Sequence, residues 1–297
     1  WQWEKTDTSQ RNIPLEELSV AVPRGAFPTI DFPEFISAQE ALEAFFRHEP
    51  LIAVSLNGQA KGYPLNMLTT HEISNDTLAG VPILPTYCPL CNASVTYDRR
   101  FQWEGKDYVL EFEVSGMLRN SDMVMADKQT ETWWQQLNGK GLVGKMAGAE
   151  LEVIPSVVIS VEEFAELYPQ GRVLSPQTPS QDRYGKNPYV GYDDKDNKPY
   201  GRYFDHDQLD ERLPPMERVV DLQVNGKFKV YPWSILAEQG LINDNFQNTP
   251  VVLFHSGKAV SVLDQKRIDQ SRAVGTATLY SSQLGDRTLH FEKHPEE

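Results

Sequence analysis

A block of sequence beginning at Asn57 returns, without a gap, beginning at Asn225. Asn57-Gly58-Gln59-Ala60-Lys61-Gly62-Tyr63-Pro64 is matched by Asn225-Gly226-Lys227-Phe228-Lys229-Val230-Tyr231-Pro232. In the same register Leu68 meets Leu236, Asn75-Asp76 meets Asn243-Asp244, and Pro82 meets Pro250. The shared residues are those that bend a chain. Asn-Gly is the strongest short hairpin signal, Pro suits the first position of a helix, and Asn-Asp shapes a turn through side-chain to backbone hydrogen bonds. A hairpin, a helix start, a turn and a strand start therefore recur together. The expected fold is α+β, predominantly antiparallel β, with two related halves from an internal duplication packed as one compact unit.

The halves also differ, and the differences point to chemistry. His71 meets Gln239, Glu72 meets Gly240, and Cys88 meets Ser256; Cys91 has no cysteine counterpart. Cys88-Pro89-Leu90-Cys91 holds both cysteines of the chain, between an apolar run at 81–84 and an alternating run at 93–97. Three readings are open. Two thiolates at a tight turn can bind one soft or borderline ion, given further ligands. A Cys-x-x-Cys can cycle as dithiol and disulfide, although thioredoxin-like sites continue into a helix, whereas 93–97 alternates like a strand. The pair can also merely staple the turn. A scaffold that recurs near Ser256 without cysteines counts against the staple. The expected metal ligands are His71, Cys88 and Cys91. Copper is favoured and zinc is the alternative, because a Cys/Cys/His set with an open or weak fourth position suits either. Glu72 and Asp122 are the weaker candidates, as catalytic carboxylates or further ligands.

Composition removes several classes. Lys plus Arg is 28 against 42 Asp plus Glu, a net charge of −14. Such a surface repels nucleic acid rather than seeking it. No run is long and apolar enough for a transmembrane helix. The first residues, Trp1-Gln2-Trp3-Glu4-Lys5, have neither the basic start nor the apolar core of a signal peptide, and a start without Met is expected to be a trimmed one. No phosphate loop, dinucleotide fingerprint, Gly-x-Ser-x-Gly or His-Glu-x-x-His occurs. His290 and His294 read as solvated.

In order, the expected units are an N-terminal arm and helix (1–50), a first repeat with the Cys-x-x-Cys site (51–174), an irregular connecting excursion (175–217) and a second repeat lacking the cysteines (218–297). Ser37-Ala38-Gln39-Glu40 and Ser160-Val161-Glu162-Glu163 are capping boxes opening helices to about 48 and 168. Strands are expected at 51–56, 59–63, 93–97, 108–114 and 123–126, the third and fourth joined by a hairpin around Gly105. The excursion is rich in Pro, Asp, Asn and Tyr, and its aromatics argue that it packs down.

The chain resembles the bacterial domain-of-unknown-function family 3179. The resemblance rests on Thr86-Tyr87-Cys88-Pro89-Leu90-Cys91, His71-Glu72 with Asn75-Asp76, Asp98-Arg99, Val114-Ser115-Gly116, Asn120-Ser121-Asp122-Met123, Trp134 and Gln136, and later Arg218-Val219-Val220 and Tyr231-Pro232-Trp233. Asn92 stands where the family pattern has Gly. The resemblance implies a secreted or lipid-anchored bacterial protein, so a periplasmic or secreted location is expected, and it supplies no activity. The leading expectation is an extracytoplasmic metalloprotein, with an oxidoreductase as the natural enzyme class for a Cys/Cys/His site. Substrate, small molecule or protein, and oligomeric state stay open. The alternatives are a thiol–disulfide protein using Cys88 and Cys91, and a ligand-binding module built on Trp133-Trp134 and residues 187–206.

Overall fold

The computed structural model describes residues 3–293; His294 and the residues after it lie outside the described part. The arm supplies β1 (Leu18–Val20) and β2 (Phe35–Ser37). Ser37 then caps α1 (Ala38–Ala44), its side chain accepting from Glu40 N while Glu40 closes on Ser37 N. The helix stops at Phe45, earlier than the sequence suggests, because Phe45 turns extended.

Next come β3 (Pro50–Leu56) and β4 (Gln59–Pro64), joined by Asn57-Gly58 with both φ positive at 48° and 77°. That is the backbone a two-residue hairpin turn needs. After α2 (Leu65–His71), β5 (Asp76–Leu78), β6 (Val81–Cys88) and β7 (Ala93–Asp98) form an antiparallel run.

Residues 93–97 and 108–114 do not form one hairpin. Instead β8 (Arg100–Trp103) and β9 (Lys106–Val109) make a separate one, and β7 pairs with β6. Arg99 is the reason for the break. It is buried and its guanidinium bonds the carbonyls of Ile83, Leu110 and Asp76, so the chain is anchored before it can extend. β10 (Phe112–Arg119) and β11 (Asp122–Asp127) then pair, followed by β12 (Trp133–Gln135) and β13 (Gly141–Val143). Trp133 and Trp134 are fully buried, which takes them out of the ligand-surface alternative: Trp134 Nε1 donates to Asp127 Oδ2 at 3.0 Å inside the core.

β14 (Val153–Ile154), β15 (Ser156–Ser160), α3 (Val161–Leu167) and β16 (Arg172–Leu174) complete the first part. The sheets run β1-β10-β11-β12-β13, β14-β7-β6-β5 and β15-β3-β4-β16-β2. Among these described strands every pairing is antiparallel except β16 with β4.

The last part holds β17 (Val219–Val224), β18 (Lys227–Pro232), α4 (Trp233–Gln239), β19 (Leu241–Phe246), β20 (Thr249–Ser256), β21 (Thr276–Ser281), β22 (Gln283–Leu284) and β23 (Arg287–Thr288). This is the order hairpin, helix, antiparallel run, hairpin already seen from β3 to β9. Matched positions make matched bonds. Tyr63 Oη donates to Asp76 as Tyr231 Oη does to Asp244, at 2.6 and 2.7 Å. Lys61 pairs with Asp76 as Lys229 pairs with Asp244. Glu49 accepts from Asn66 N and Glu217 from Ser234 N, each at the start of its helix. Asn75 exchanges two bonds with the Phe112 backbone, and Asn243 does the same with Phe291.

Residues 175–217 form no strand and lie against the body. Tyr189 packs on the core of the first sheet system, and Tyr192 is fully buried in it.

Candidate metal centre

Two hairpin tips from different sheets meet at the Cys loop. The first joins β6 to β7. Cys88 pairs with Ala93, Pro89 stiffens the corner, and Asn92 takes φ 48° with its N–H on Pro89 O at 3.3 Å. Asn tolerates that left-handed backbone far better than most residues, so it replaces Gly without changing the turn. The second tip joins β10 to β11. Asn120 and Ser121 have φ of 51° and 65°, a turn whose twist matches its strands, and Asp122 follows immediately as the first residue of β11.

This meeting gathers Cys88 Sγ, Cys91 Sγ and a carboxylate oxygen of Asp122 within 4.8 Å of one another. Cys91 Sγ is 3.0 Å from Asp122 Oδ1; Cys88 Sγ is 3.8 Å from Ser121 O. Two ligands about 2.3 Å from a tetrahedral zinc sit roughly 3.8 Å apart, so the cluster has the dimensions of three corners of such a site. Both cysteines are free thiols.

Asp122 is held firmly in this position. Gln135 Nε2 donates to Oδ2 at 2.5 Å and Leu137 N at 3.1 Å, leaving Oδ1 toward the sulfurs. Gln136 Nε2 is fixed on Thr86 Oγ1 at 2.8 Å, with its Oε1 3.9 Å from Cys91 Sγ. Such supports orient ligands in metal sites.

Three acidic groups converge here with little solvent. Burial pushes the Asp122 carboxyl up despite its hydrogen bonds. Hydrogen bonding to Cys88, then burial and the Asp122 charge, push the Cys91 thiol well up. A reactive dithiol needs the opposite, a thiolate favoured by positive surroundings. A bound cation reverses this balance, since it stabilises all three anions at once.

The structure does not bring His71 into the group. Its Nδ1 is 2.5 Å from Pro28 O and its Nε2 2.7 Å from Tyr184 Oη, so both ring nitrogens are engaged away from the sulfurs. Burial lowers its pKa, disfavouring the imidazolium. The partners belong to the arm and the excursion, neither of which the repeat describes. Glu72, the next residue, is also buried. Burial, then the Asp122 charge, push its carboxyl up to about 8, and its carbonyl accepts from Tyr87 N at 2.8 Å.

The excursion and Arg218 cover the tips. Ser121 N donates to Tyr203 O at 3.1 Å. Asn92, with its amide turned to satisfy both neighbours, donates to Tyr87 Oη at 2.9 Å and accepts from Arg218 Nη2 and Nε at 2.9 and 2.8 Å. Arg218 in turn pairs with the buried Asp193 at 2.9 Å. Burial raises Tyr189 and Tyr192, the latter to about 12, with the Cys88 charge contributing to both. Gln136 and Arg218 stand in the sequence strings that carry the family resemblance; Gln135, Tyr189 and Asp193 had no such signal.

Among the described residues no helix is long and apolar enough to cross a membrane. No curated protein and no solved structure matches the chain. A family model described as a protein of unknown function, DUF3179, matches residues 24–295. The thiol loop, the Asp122 turn and Arg218 all fall inside that match, and the chain belongs to the DUF3179 family.

Proposed function

We propose that this is a metal-binding protein whose ion is held by Cys88, Cys91 and Asp122. The observation that carries the reading is the convergence of two thiols and a buried carboxylate from two hairpin tips. Replacing the expected His71 by Asp122 changes the preferred ion. Zinc accepts thiolate and carboxylate together, and three protein ligands with one open position is the pattern of catalytic zinc sites. Copper held by the two thiolates is the second reading, favoured by Cys88 lying in the same buried apolar cluster as Met123, Met125 and Trp134. An oxidoreductase role goes with copper only, since zinc has no redox chemistry. The location proposed is periplasmic or secreted, as the resemblance implies.

We also read residues 51–174 and 218–297 as products of one duplication, with 175–217 inserted between them and 1–50 added before. The matched Glu49/Glu217, Tyr63/Tyr231 and Asn75/Asn243 bonds support this. It explains why only the half with thiols carries the site.

The test is elemental analysis of protein purified without chelator. Wild type is expected to hold about one ion per chain, Cys88→Ser to hold none, and Asp122→Asn to bind at least roughly tenfold more weakly. Zinc or copper in the wild type distinguishes the two readings. No stoichiometric metal, with Cys88→Ser unchanged, sinks the proposal.

A further inference from the structure

Two hairpins share one sequence pattern, yet the chain covers only one of them. β3–β4 lies inside a five-stranded sheet, with β15 on one side and β16 on the other. β17–β18, at the matched positions, is a sheet of two strands. Its register sets Val224 opposite Lys227, Gln223 opposite Phe228, Leu222 opposite Lys229 and Asp221 opposite Val230. Opposite residues in an antiparallel pair alternate between bonded and non-bonded. The two-residue Asn225-Gly226 turn makes Val224 and Lys227 a bonded pair. Phe228 and Val230 therefore turn their N–H and C=O groups away from β17. At the matched edge of β4, Lys61 and Gly62 receive β16, with Arg172 and Val173 opposite them. Among the described strands none does this for β18.

The side chains agree with the backbone. Leu51, Ala53 and Ala60 on the first hairpin are buried. Their matched residues Val219, Asp221 and Phe228 are exposed, Phe228 by 67%, and Val230 beside it by 46%. An open strand edge is a template for another strand, and proteins commonly blunt it with charge. The β17 edge is blunted in this way, since Asp221 stands in the middle of it and would face its own copy. The outward residues of the β18 edge are both apolar.

We propose that the β18 edge is where two copies of this chain associate, β18 of one pairing antiparallel with β18 of the other about a two-fold axis at Lys229. Phe228 of each copy then lies opposite Val230 of the other, and the outward groups of both residues are bonded. Shifting the axis to Val230 would set Phe228 against Pro232, which has no N–H to give. Lys229 meets its own copy on the other face, where each is already paired with Asp244. The result is a four-stranded sheet whose outer face joins the Val219, Phe228 and Val230 side chains of both copies. A two-fold dimer is the commonest symmetric assembly, and a self-complementary edge is what it requires. The metal centre plays no part in this surface.

Sedimentation of the full chain over a wide concentration range tests it, together with hydrogen exchange at single amides. Wild type is expected to form a dimer, and the Phe228 and Val230 amides to slow as concentration rises. Phe228→Lys is expected to weaken association by roughly tenfold or more while melting like wild type. Asp221→Asn, on the opposite edge, is expected to leave the β18 dimer intact, and a melting curve for each variant guards against misfolding. A wild-type chain that stays monomeric overturns the proposal and leaves the edge to a strand of some other protein. A dimer that survives Phe228→Lys, or whose Phe228 and Val230 amides exchange at the same rate at every concentration, overturns it as well.

Discussion

Glu49 is a buried acid with one partner too few. It is fully buried; Oε1 accepts from Asn66 N at 3.2 Å, and Oε2 has no partner among the described residues. Burial pushes its pKa up to about 8. A carboxyl whose folded pKa lies above its unfolded value of 4.5 contributes stability that is fully present below pH 4.5. That contribution declines as pH rises and is lost as pH passes the folded value near 8. Glu49→Gln is expected to remove this decline, leaving the variant more stable than wild type at pH 9 by roughly 2 kcal/mol or more. Urea unfolding at pH 5, 7 and 9 checks it; parallel pH profiles for the two proteins would refute it. At this scale the sequence was informative where chemistry depends on residue type. Cys88, Cys91, Glu72 and Asp122 all stood out. It placed His71 ahead of Asp122 as the third ligand, and spacing does not show which side chain finds competing partners; His71 finds Pro28 and Tyr184.

Among the elements, β10 deserves a test because its shape sets where Asp122 falls. The pairing of β10 with β11 shifts register between Val114 and Met117. Ser115 Oγ fills the gap by donating to Val124 O at 2.5 Å and accepting from Met117 N at 3.0 Å. Gly116 sits at φ 81°, and a Cβ there would stand 2.2 Å from Val22 O. Its carbonyl accepts from both Ala21 N and Val22 N, which pins the arm. Gly116→Ala is expected to destabilise the protein by about 2–4 kcal/mol, from the positive φ and the backbone clash together. It should also speed hydrogen exchange at the amides of Ala21 and Val22. A stability within about 0.5 kcal/mol of wild type would contradict the bulge account. Capping boxes and the Asn-Gly turn were legible in the sequence since their signals are local. The turn at Gly105 was legible too, but not that its hairpin stands apart from β7, since the buried Arg99 that separates them binds carbonyls on three other segments.

For the whole molecule, the question is how the C-terminal part reaches the Cys loop. Arg218 spans the gap, holding Asn92 of the Cys loop on one side and Asp193 of the excursion on the other. Asp193 also pairs with Arg272 at 2.9 Å and accepts from Ser261 Oγ at 2.6 Å. Removing one member of a buried ionic network leaves charge unpaired. Arg218→Met is expected to cost about 2 kcal/mol, less than for an isolated pair because Arg272 remains. It should also loosen the Cys loop, read as lower metal affinity and faster exchange at the Cys91 and Asn92 amides. Loss of stability with unchanged metal affinity would separate the scaffold from the site.

By itself the sequence determined the recurring hairpin and helix pattern, the mostly antiparallel character, the family and the place of the Cys-x-x-Cys loop. Each of these follows from signals carried by residues near one another in the chain. Only the tertiary structure decided that Asp122 joins the thiols and His71 does not, and that the excursion and Arg218 cover the loop. Those contacts join residues far apart in sequence. They are fixed by which buried polar groups satisfy one another, and composition and spacing do not encode that.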